Sequence, residues 1–318
     1  METGKCLVTI PFTREQKNRI LEAGSDYEII FCKKNEVTED MLERVEILLG
    51  NLPVDLVKKA RHLKWMQTNS AGVNLYIPSG VLKEDTLLSS AVGAYDISVT
   101  EGMIAGTMAL YRKMPAYMES QKAHVWKDEG PLLSPYGATV LIVGLGQIGC
   151  RYANVMKAMG SHIIGIKRDI SRKPEGIDEV YTMEHLQECL ARADLVASIL
   201  PATEATKYTF GTEEFAKMKR SAYFLNFGRG FSVVTDALCD ALCKGEIAGA
   251  CLDVTDPEPL PADHPLWNAP NLILTPHVAG SFHIPVTLEI ICDICVENLK
   301  HYKKGEKLRN QISREIGY

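Results

Sequence analysis

Long apolar runs are missing from this 318-residue sequence. None approaches the roughly 20 consecutive apolar residues that a bilayer-crossing helix needs, so no membrane partner is expected. The first residues, METGKCLVTIPF, lack both the long apolar core and the cleavage site of a secretory signal. Surplus basic charge is missing too: 35 Lys and Arg stand against 40 Asp and Glu, a net charge of −5. That balance argues against a nucleic-acid-binding surface. There is no even, regularly spaced cysteine set either. Nine cysteines without an export signal point to reduced thiols and a cytoplasmic location. Cys292 and Cys295 form a CxxC with no second pair, and Cys239 and Cys243 lie one helical turn apart. A zinc site wants four suitably spaced ligands. No metal is expected, and these thiols read as buried and inert.

What the sequence does have is a regular alternation of short apolar strands and helical segments, over a length that suggests two domains. The first part reads as strands at 6–10, 27–32, 45–49 and 63–67, with helices at 14–23, 38–43 and 54–60. No phosphate-binding glycine turn follows its first strand, so this half reads as a smaller α/β domain that does not hold a nucleotide. At Ser98 the pattern Ser98-Val99-Thr100-Glu101 reads as a capping box. The helix it opens carries Gly102, Ala105, Gly106 and Ala109 on a smooth face and is expected to end near Pro115. That helix suits a domain connection and a subunit interface. Residues 116–135 read as an extended connection anchored by Trp126.

From Ala138 the rhythm is that of a doubly wound sheet, with strands at 140–143, 162–166, 195–199, 222–226, 249–254 and 272–275. Helical segments fall at 183–191, 213–217 and 236–244, and a helix at 286–302 follows. The rhythm alone leaves open which domain that last helix completes. The first strand of this half runs into Gly144-Leu145-Gly146-Gln147-Ile148-Gly149, after which a helix begins. Strand, glycine turn and helix form a dinucleotide fingerprint. Gly144 serves the sharp turn, Gly146 lets backbone approach a pyrophosphate, and Gly149 lets helix and strand pack closely. The helix N-terminus offers N–H groups and a positive dipole end to phosphate. The plain alternative is a glycine turn in an ordinary βα unit.

Ligands of open α/β sheets bind beyond the carboxyl ends of the strands. Three such ends carry ionisable groups: Arg229 in Phe227-Gly228-Arg229-Gly230, Glu258 between Pro257 and Pro259, and His277 in Pro276-His277-Val278-Ala279-Gly280. Each alone could be a loop residue. Together they suit the reduction of a 2-oxo acid, which needs a forked cation for the carboxylate and a proton donor for the carbonyl oxygen. A carboxylate against an imidazole favours its charged form.

On these residues the chain resembles the D-isomer-specific 2-hydroxyacid dehydrogenases. The matching stretches are SAGV (Ser70, Ala71, Gly72 and Val73), GLGQIG, LPATEAT, NFGRG, AGACLDVTDPEPLP and TPHVAG. The resemblance implies an α/β fold of two doubly wound parallel-sheet domains. One is a Rossmann dinucleotide-binding domain over 98–285. The other is a smaller, flavodoxin-like substrate domain over 1–97, completed by the C-terminal segment 286–318. It implies that Arg229 binds the substrate carboxylate and carbonyl, that His277 is the general acid/base, and that Glu258 orients His277. Ser70 and the N–H groups around Ala71, Gly72 and Val73 would hold the substrate. The cofactor would lie against Gly144, Gly146, Gln147, Ile148 and Gly149, then Leu200, Pro201 and Thr206, Phe227 and Gly228, Asp253 and Gly280. A homodimer through the helix at 98–115 is implied as well, with domain closure about hinges near Ser98 and Pro285.

Two positions depart from the family pattern. Where the family usually places an aspartate for the ribose hydroxyls, Lys167 and Arg168 stand, with Asp169 two residues late and Arg172 and Lys173 nearby. Cations there attract a 2′-phosphate, so NADP(H) is expected over NAD(H). Asn74 stands where the family often has aspartate after SAGV. The expected activity is reduction of a small 2-oxo acid, of glyoxylate or hydroxypyruvate type, to the D-2-hydroxy acid. The formate dehydrogenases of the family carry glutamine where Glu258 stands. The alternative from another class is a dinucleotide-sensing interaction protein, as in the family's co-repressor branch.

Overall fold

The computed structural model describes residues 4–313. Residues 1–3 and 314–318 of the two expected terminal segments lie outside the described residues. The chain forms two compact units: one takes the chain up to Tyr95 and again from Phe282, the other runs Asp96–Ser281.

In the first unit β1 (Lys5–Val8), α1 (Arg14–Ala23), β2 (Glu28–Phe31), α2 (Glu39–Leu42), β3 (Val45–Leu49), α3 (Val54–Val57), β4 (Trp65–Gln67) and β5 (Leu87–Ser89) follow one another. The strands pair in parallel in the order β2-β1-β3-β4-β5. This is the flavodoxin-like order. Both faces of the sheet are covered, as parallel sheets require. Because side chains alternate along a strand, Cys6, Val8, Ile47 and Leu49 enter one apolar cluster while Leu7 and Leu48 enter the other. The capping box Thr13–Gln16 starts α1 by satisfying two orphan donors. β5 escapes the sequence reading because a three-residue run, Leu87-Leu88-Ser89, is too short to show a period.

The second unit opens with α4 (Asp96–Tyr111) and α5 (Met114–Lys122), then β6 (Thr139–Val143), α6 (Gln147–Ala158), β7 (His162–Ile166) and β8 (Glu179–Tyr181). It continues with α7 (Leu186–Arg192), β9 (Leu195–Ser198), α8 (Thr212–Lys217), β10 (Tyr223–Asn226), α9 (Thr235–Cys243), β11 (Gly249–Leu252) and β12 (Leu272–Leu274). All seven strands are parallel, in the order β12-β11-β10-β9-β6-β7-β8. The order reverses between β6 and β9, the switch point where such sheets open a crevice. β8 was not expected: Glu179-Val180-Tyr181 is a half-exposed edge strand without an apolar run.

Three expectations around α4 are corrected, and one is met. The helix starts at Asp96, so Ser98 lies inside it and caps nothing; its hydroxyl donates to the carbonyl of Ala279. Gly102 and Gly106 face inward, where added β-carbons would meet Ala279 and Phe227 at 3.3 Å and the Cys251 sulfur at 2.5 Å. These two glycines thus give the close packing expected of the smooth face. Pro115 stops nothing: α4 ends at Tyr111, and Pro115 sits in the first turn of α5, where a missing N–H is harmless. Trp126 is fully exposed and anchors nothing among the described residues.

Helix α10 (Pro285–Lys304) returns to the first unit. It buries Ile291, Cys292, Ile294, Cys295 and Leu299 against one face of the sheet, and Tyr302 stacks on Trp65 at 5.3 Å. The CxxC pair is thus core, with burial pushing Cys292 up to about 11.

Candidate active site

In the second unit each glycine of the turn after β6 answers to a separate constraint. Gly144 has φ of +108° and hydrogen-bonds through its N–H to Ile166 at 3.0 Å. An added β-carbon there would lie 2.7 Å from the carbonyl oxygen of Ile199. At Gly149 one would lie 2.2 Å from the carbonyl oxygen of Gly144, so α6 and β6 touch only without a side chain. At Gly146, the N-cap of α6, an added β-carbon meets nothing within 4 Å. Open space in front of the first turn of a 12-residue helix, with Gln147 exposed and Ile148 half-buried, is a cradle suited to a pyrophosphate.

The loop after β7 lines a shallow depression with Lys167, Arg172, Lys173, Pro174 and Glu175. Lys167 is fixed at both ends: its N–H donates to Tyr181 at 3.1 Å and its Nζ to the Arg172 carbonyl at 3.2 Å. Arg168 is exposed. The Asp169 carboxylate is held below the usual carboxylate range by the Ser171 side chain and by the Ser171 N–H, which donates to it at 2.9 Å.

Arg229 follows β10, and its neighbours must be glycine for reasons of packing. An added β-carbon on Gly228 would sit 2.6 Å from the Leu200 backbone, and one on Gly230 1.9 Å from the Thr255 carbonyl oxygen. Asn226 organises the turn, accepting the Gly228 N–H at 3.2 Å and donating to the Arg229 carbonyl at 3.1 Å. The guanidinium donates to the Gly228 carbonyl at 2.7 Å. Burial pushes it below its ordinary value, and the charge of Glu258 pulls it back up. Glu258 is also the partner of His277, with Oε1 and Nδ1 2.6 Å apart. One carboxylate thus acts on both the guanidinium and the imidazole of the set. With Nδ1 taken, Nε2 is the nitrogen left to exchange a proton with a ligand.

His277 itself has φ of +52°, a left-handed backbone that its loop must enforce. Asp253, at the end of β11, does so. Its Oδ1 accepts from the Thr275 hydroxyl at 2.7 Å and the Val278 N–H at 2.9 Å, its Oδ2 accepts the Ala279 N–H at 3.0 Å, and its carbonyl accepts the His277 N–H at 2.8 Å. A carboxylate has about four acceptor positions, so one on Oδ2 is left over. This holding role of Asp253 was not legible in sequence. Of the remaining residues singled out there, Leu200 and Phe227 are buried beside the Arg229 turn, and Gly280 is half-buried. Pro201 is exposed, and its carbonyl accepts the Thr206 hydroxyl at 2.6 Å.

In the first unit Ser70, Ala71, Gly72 and Val73 follow β4. The Ser70 hydroxyl donates to the Gly72 carbonyl at 2.7 Å, and the Ser70 carbonyl accepts from the Thr68 hydroxyl at 2.8 Å and the Ala91 N–H at 3.0 Å. No acceptor among the described residues pairs with the N–H groups of Ala71, Gly72 or Val73. Successive free donors of this kind suit an anion. No group of three or more His, Cys, Asp or Glu suited to a metal ion occurs among the described residues, nor does a helix long and apolar enough to cross a membrane.

The profile described as D-isomer specific 2-hydroxyacid dehydrogenase, NAD binding domain, matches residues 104–279. A glyoxylate reductase of Korarchaeum cryptofilum is 38% identical over 289 residues, 88% of this chain and 85% of that protein. Among solved structures, a D-isomer specific 2-hydroxyacid dehydrogenase family protein from Aeromonas salmonicida has a TM-score of 0.88 at 30% identity, covering 98% of this chain and all 100% of that one. An NADPH-dependent glyoxylate/hydroxypyruvate reductase from Sinorhizobium meliloti, solved with NADP and sulfate, has a TM-score of 0.83 at 27% identity, covering 99% and 100%.

Proposed function

Because this chain belongs to the D-isomer-specific 2-hydroxyacid dehydrogenase family, and so is an NAD(P)-dependent oxidoreductase acting on small 2-oxo or 2-hydroxy acids, we propose that it reduces glyoxylate or hydroxypyruvate with NADPH. The observation that carries this reading is the Glu258–His277 pair at 2.6 Å, with the same carboxylate acting on Arg229. When bound, the reduced nicotinamide supplies a hydride to C2 of the substrate. Arg229 forks onto the substrate carboxylate and stabilises charge gathering on the carbonyl oxygen. His277 delivers a proton from Nε2 to that oxygen, and Glu258 holds the Nδ1–H that fixes the ring. The donors of Ala71, Gly72 and Val73 bind the substrate carboxylate.

The cradle at Gly144, Gly146 and Gly149 suits the pyrophosphate, and the cationic depression of Lys167, Arg172 and Lys173 supports a choice of the 2′-phosphorylated cofactor. The NADP in the Sinorhizobium relative points the same way. The cytoplasm is the proposed location. A homodimer is proposed, with the exposed side chains Met114, Met118 and Trp126 extending the contact beyond the helix at 98–115.

The test is a panel of 2-oxo acids assayed with NADPH and NADH, read at the nicotinamide absorbance band. Turnover of glyoxylate or hydroxypyruvate with NADPH supports the proposal. Tight dinucleotide binding without turnover of any acid would replace it with the interaction-protein reading.

A further inference from the structure

The substrate loop after β4 is held by a residue 18 positions ahead of it, in the turn after β3. Asn51 grips it twice. Its Oδ1 accepts the Asn69 N–H at 2.9 Å, and its Nδ2 donates to the Ser70 hydroxyl oxygen at 2.9 Å. A serine hydroxyl has a single proton. Receiving the Asn51 N–H leaves that proton to go to the Gly72 carbonyl, where the 2.7 Å bond lies. The Tyr95 hydroxyl meanwhile donates to the Asn69 carbonyl, and Thr68 and Ala91 occupy that of Ser70. The carbonyls of Asn69, Ser70 and Gly72 are thereby tied to the protein, and the donors of Ala71, Gly72 and Val73 are left for a ligand. An unheld Gly72 carbonyl could turn toward an incoming anion and repel it.

We propose that Asn51 is a positioning residue for substrate binding: its amide sets the Ser70 hydroxyl, and through it the donor face that takes the carboxylate of a 2-oxo acid. This rests on the function proposed above. Both polar atoms of the Asn51 amide are engaged with Asn69 and Ser70, so its contribution is to binding and not to turnover.

The experiment compares Asn51→Ala and Asn51→Asp with the wild type, measuring kcat and KM for the best 2-oxo acid of the panel and the Kd of NADPH. Loss of a hydrogen bond of this kind raises KM roughly tenfold, with kcat and the Kd of NADPH nearly unchanged. Asn51→Asp has the same shape and keeps the acceptor for Asn69. It takes the Ser70 proton away from Gly72 and adds a negative charge, so its KM rises further than that of Asn51→Ala. A residue that only supports the fold gives the opposite order. An unchanged KM in both variants, equal losses in kcat and NADPH affinity, or the opposite order overturns the proposal. If Asn51→Ala fails to fold by circular dichroism, the isosteric Asn51→Asp carries the test alone, and an unchanged KM overturns it. If the wild type turns over no 2-oxo acid, the function reading fails, and amide hydrogen exchange decides on Asn51. Faster exchange at Asn69 and Ala91 in the folded variant is expected, and unchanged exchange at both overturns the positioning role.

Discussion

Nδ1 of His277 lies 2.6 Å from Oε1 of Glu258, across 19 residues of sequence and two different strand ends. The contact occupies Nδ1, and the proposed function assigns the proton transfer to Nε2. Glu258→Gln keeps the shape and removes the charge, so the imidazolium loses its electrostatic partner. The expected result is a fall in kcat of roughly 100-fold, within the usual range for a general-acid defect. Steady-state kinetics beside NADPH titration check it; equal losses in cofactor affinity would point to a collapsed loop instead.

The cationic depression after β7 makes a prediction about cofactor choice. Replacing Lys167 by Ser and Arg168 by Asp removes two positive charges from the side that would face a 2′-phosphate and adds one negative. Hydrogen bonds to charged groups contribute about 1.5–3 kcal/mol each. The ratio of kcat/KM with NADPH to that with NADH is expected to fall at least tenfold. A wild type that uses NADH better than NADPH contradicts the assignment outright.

The glycines of the two turns divide into those needed for the fold and one left open for a ligand. Gly149→Ala and Gly230→Ala place a methyl 2.2 Å and 1.9 Å from backbone oxygens, so the chain must shift. Each is expected to destabilise the protein by roughly 1–3 kcal/mol. Gly146→Ala meets nothing and should melt with the wild type, yet its methyl stands where the pyrophosphate is proposed to lie. Thermal melts combined with NADPH binding separate the two classes: normal melting with weakened binding for Gly146→Ala, lowered melting for the others.

Much of this was legible in the sequence, and the reason is local. The dinucleotide turn is readable because Gly144 and Gly149 satisfy constraints imposed by residues within one βα unit or by the sheet beside it. Arg229, Glu258 and His277 are readable because a parallel sheet sends every strand's carboxyl end to one edge. Asn51 and the loop-holding role of Asp253 are not. Their importance lies in bonds made to loops 18 to 26 residues away, and an Asn before Leu-Pro or an Asp after an apolar strand looks like any strand end. Ser98 misled for a related reason: its hydroxyl serves Ala279, 181 residues on, and not the helix it sits in. Trp126 misled because size suggests burial, whereas nothing among the described residues covers it.

The edge strand β8 gives a prediction for acid. Glu179 accepts from Arg192 at 3.0 Å, from the Tyr181 hydroxyl at 2.6 Å and lies 2.6 Å from Nε2 of His162, and these partners lower it from 4.5 to about 2. Because the folded value lies below the unfolded one, the contribution is complete above about pH 4.5 and is lost as pH falls toward 2. Glu179→Gln should therefore flatten the loss of stability between pH 4.5 and 2 while changing little of its pH dependence near neutrality. Urea unfolding at a series of pH values measures this; a variant whose stability falls with acid as steeply as the wild type contradicts it.

The proposed reduction of a 2-oxo acid depends on His277 as its proton donor. The most direct measurement is turnover of hydroxypyruvate by His277→Ala with saturating NADPH, beside the Kd of NADPH for the same variant. The predicted result is a loss in kcat of roughly 100- to 10,000-fold with cofactor binding nearly intact. Turnover close to that of the wild type would contradict it.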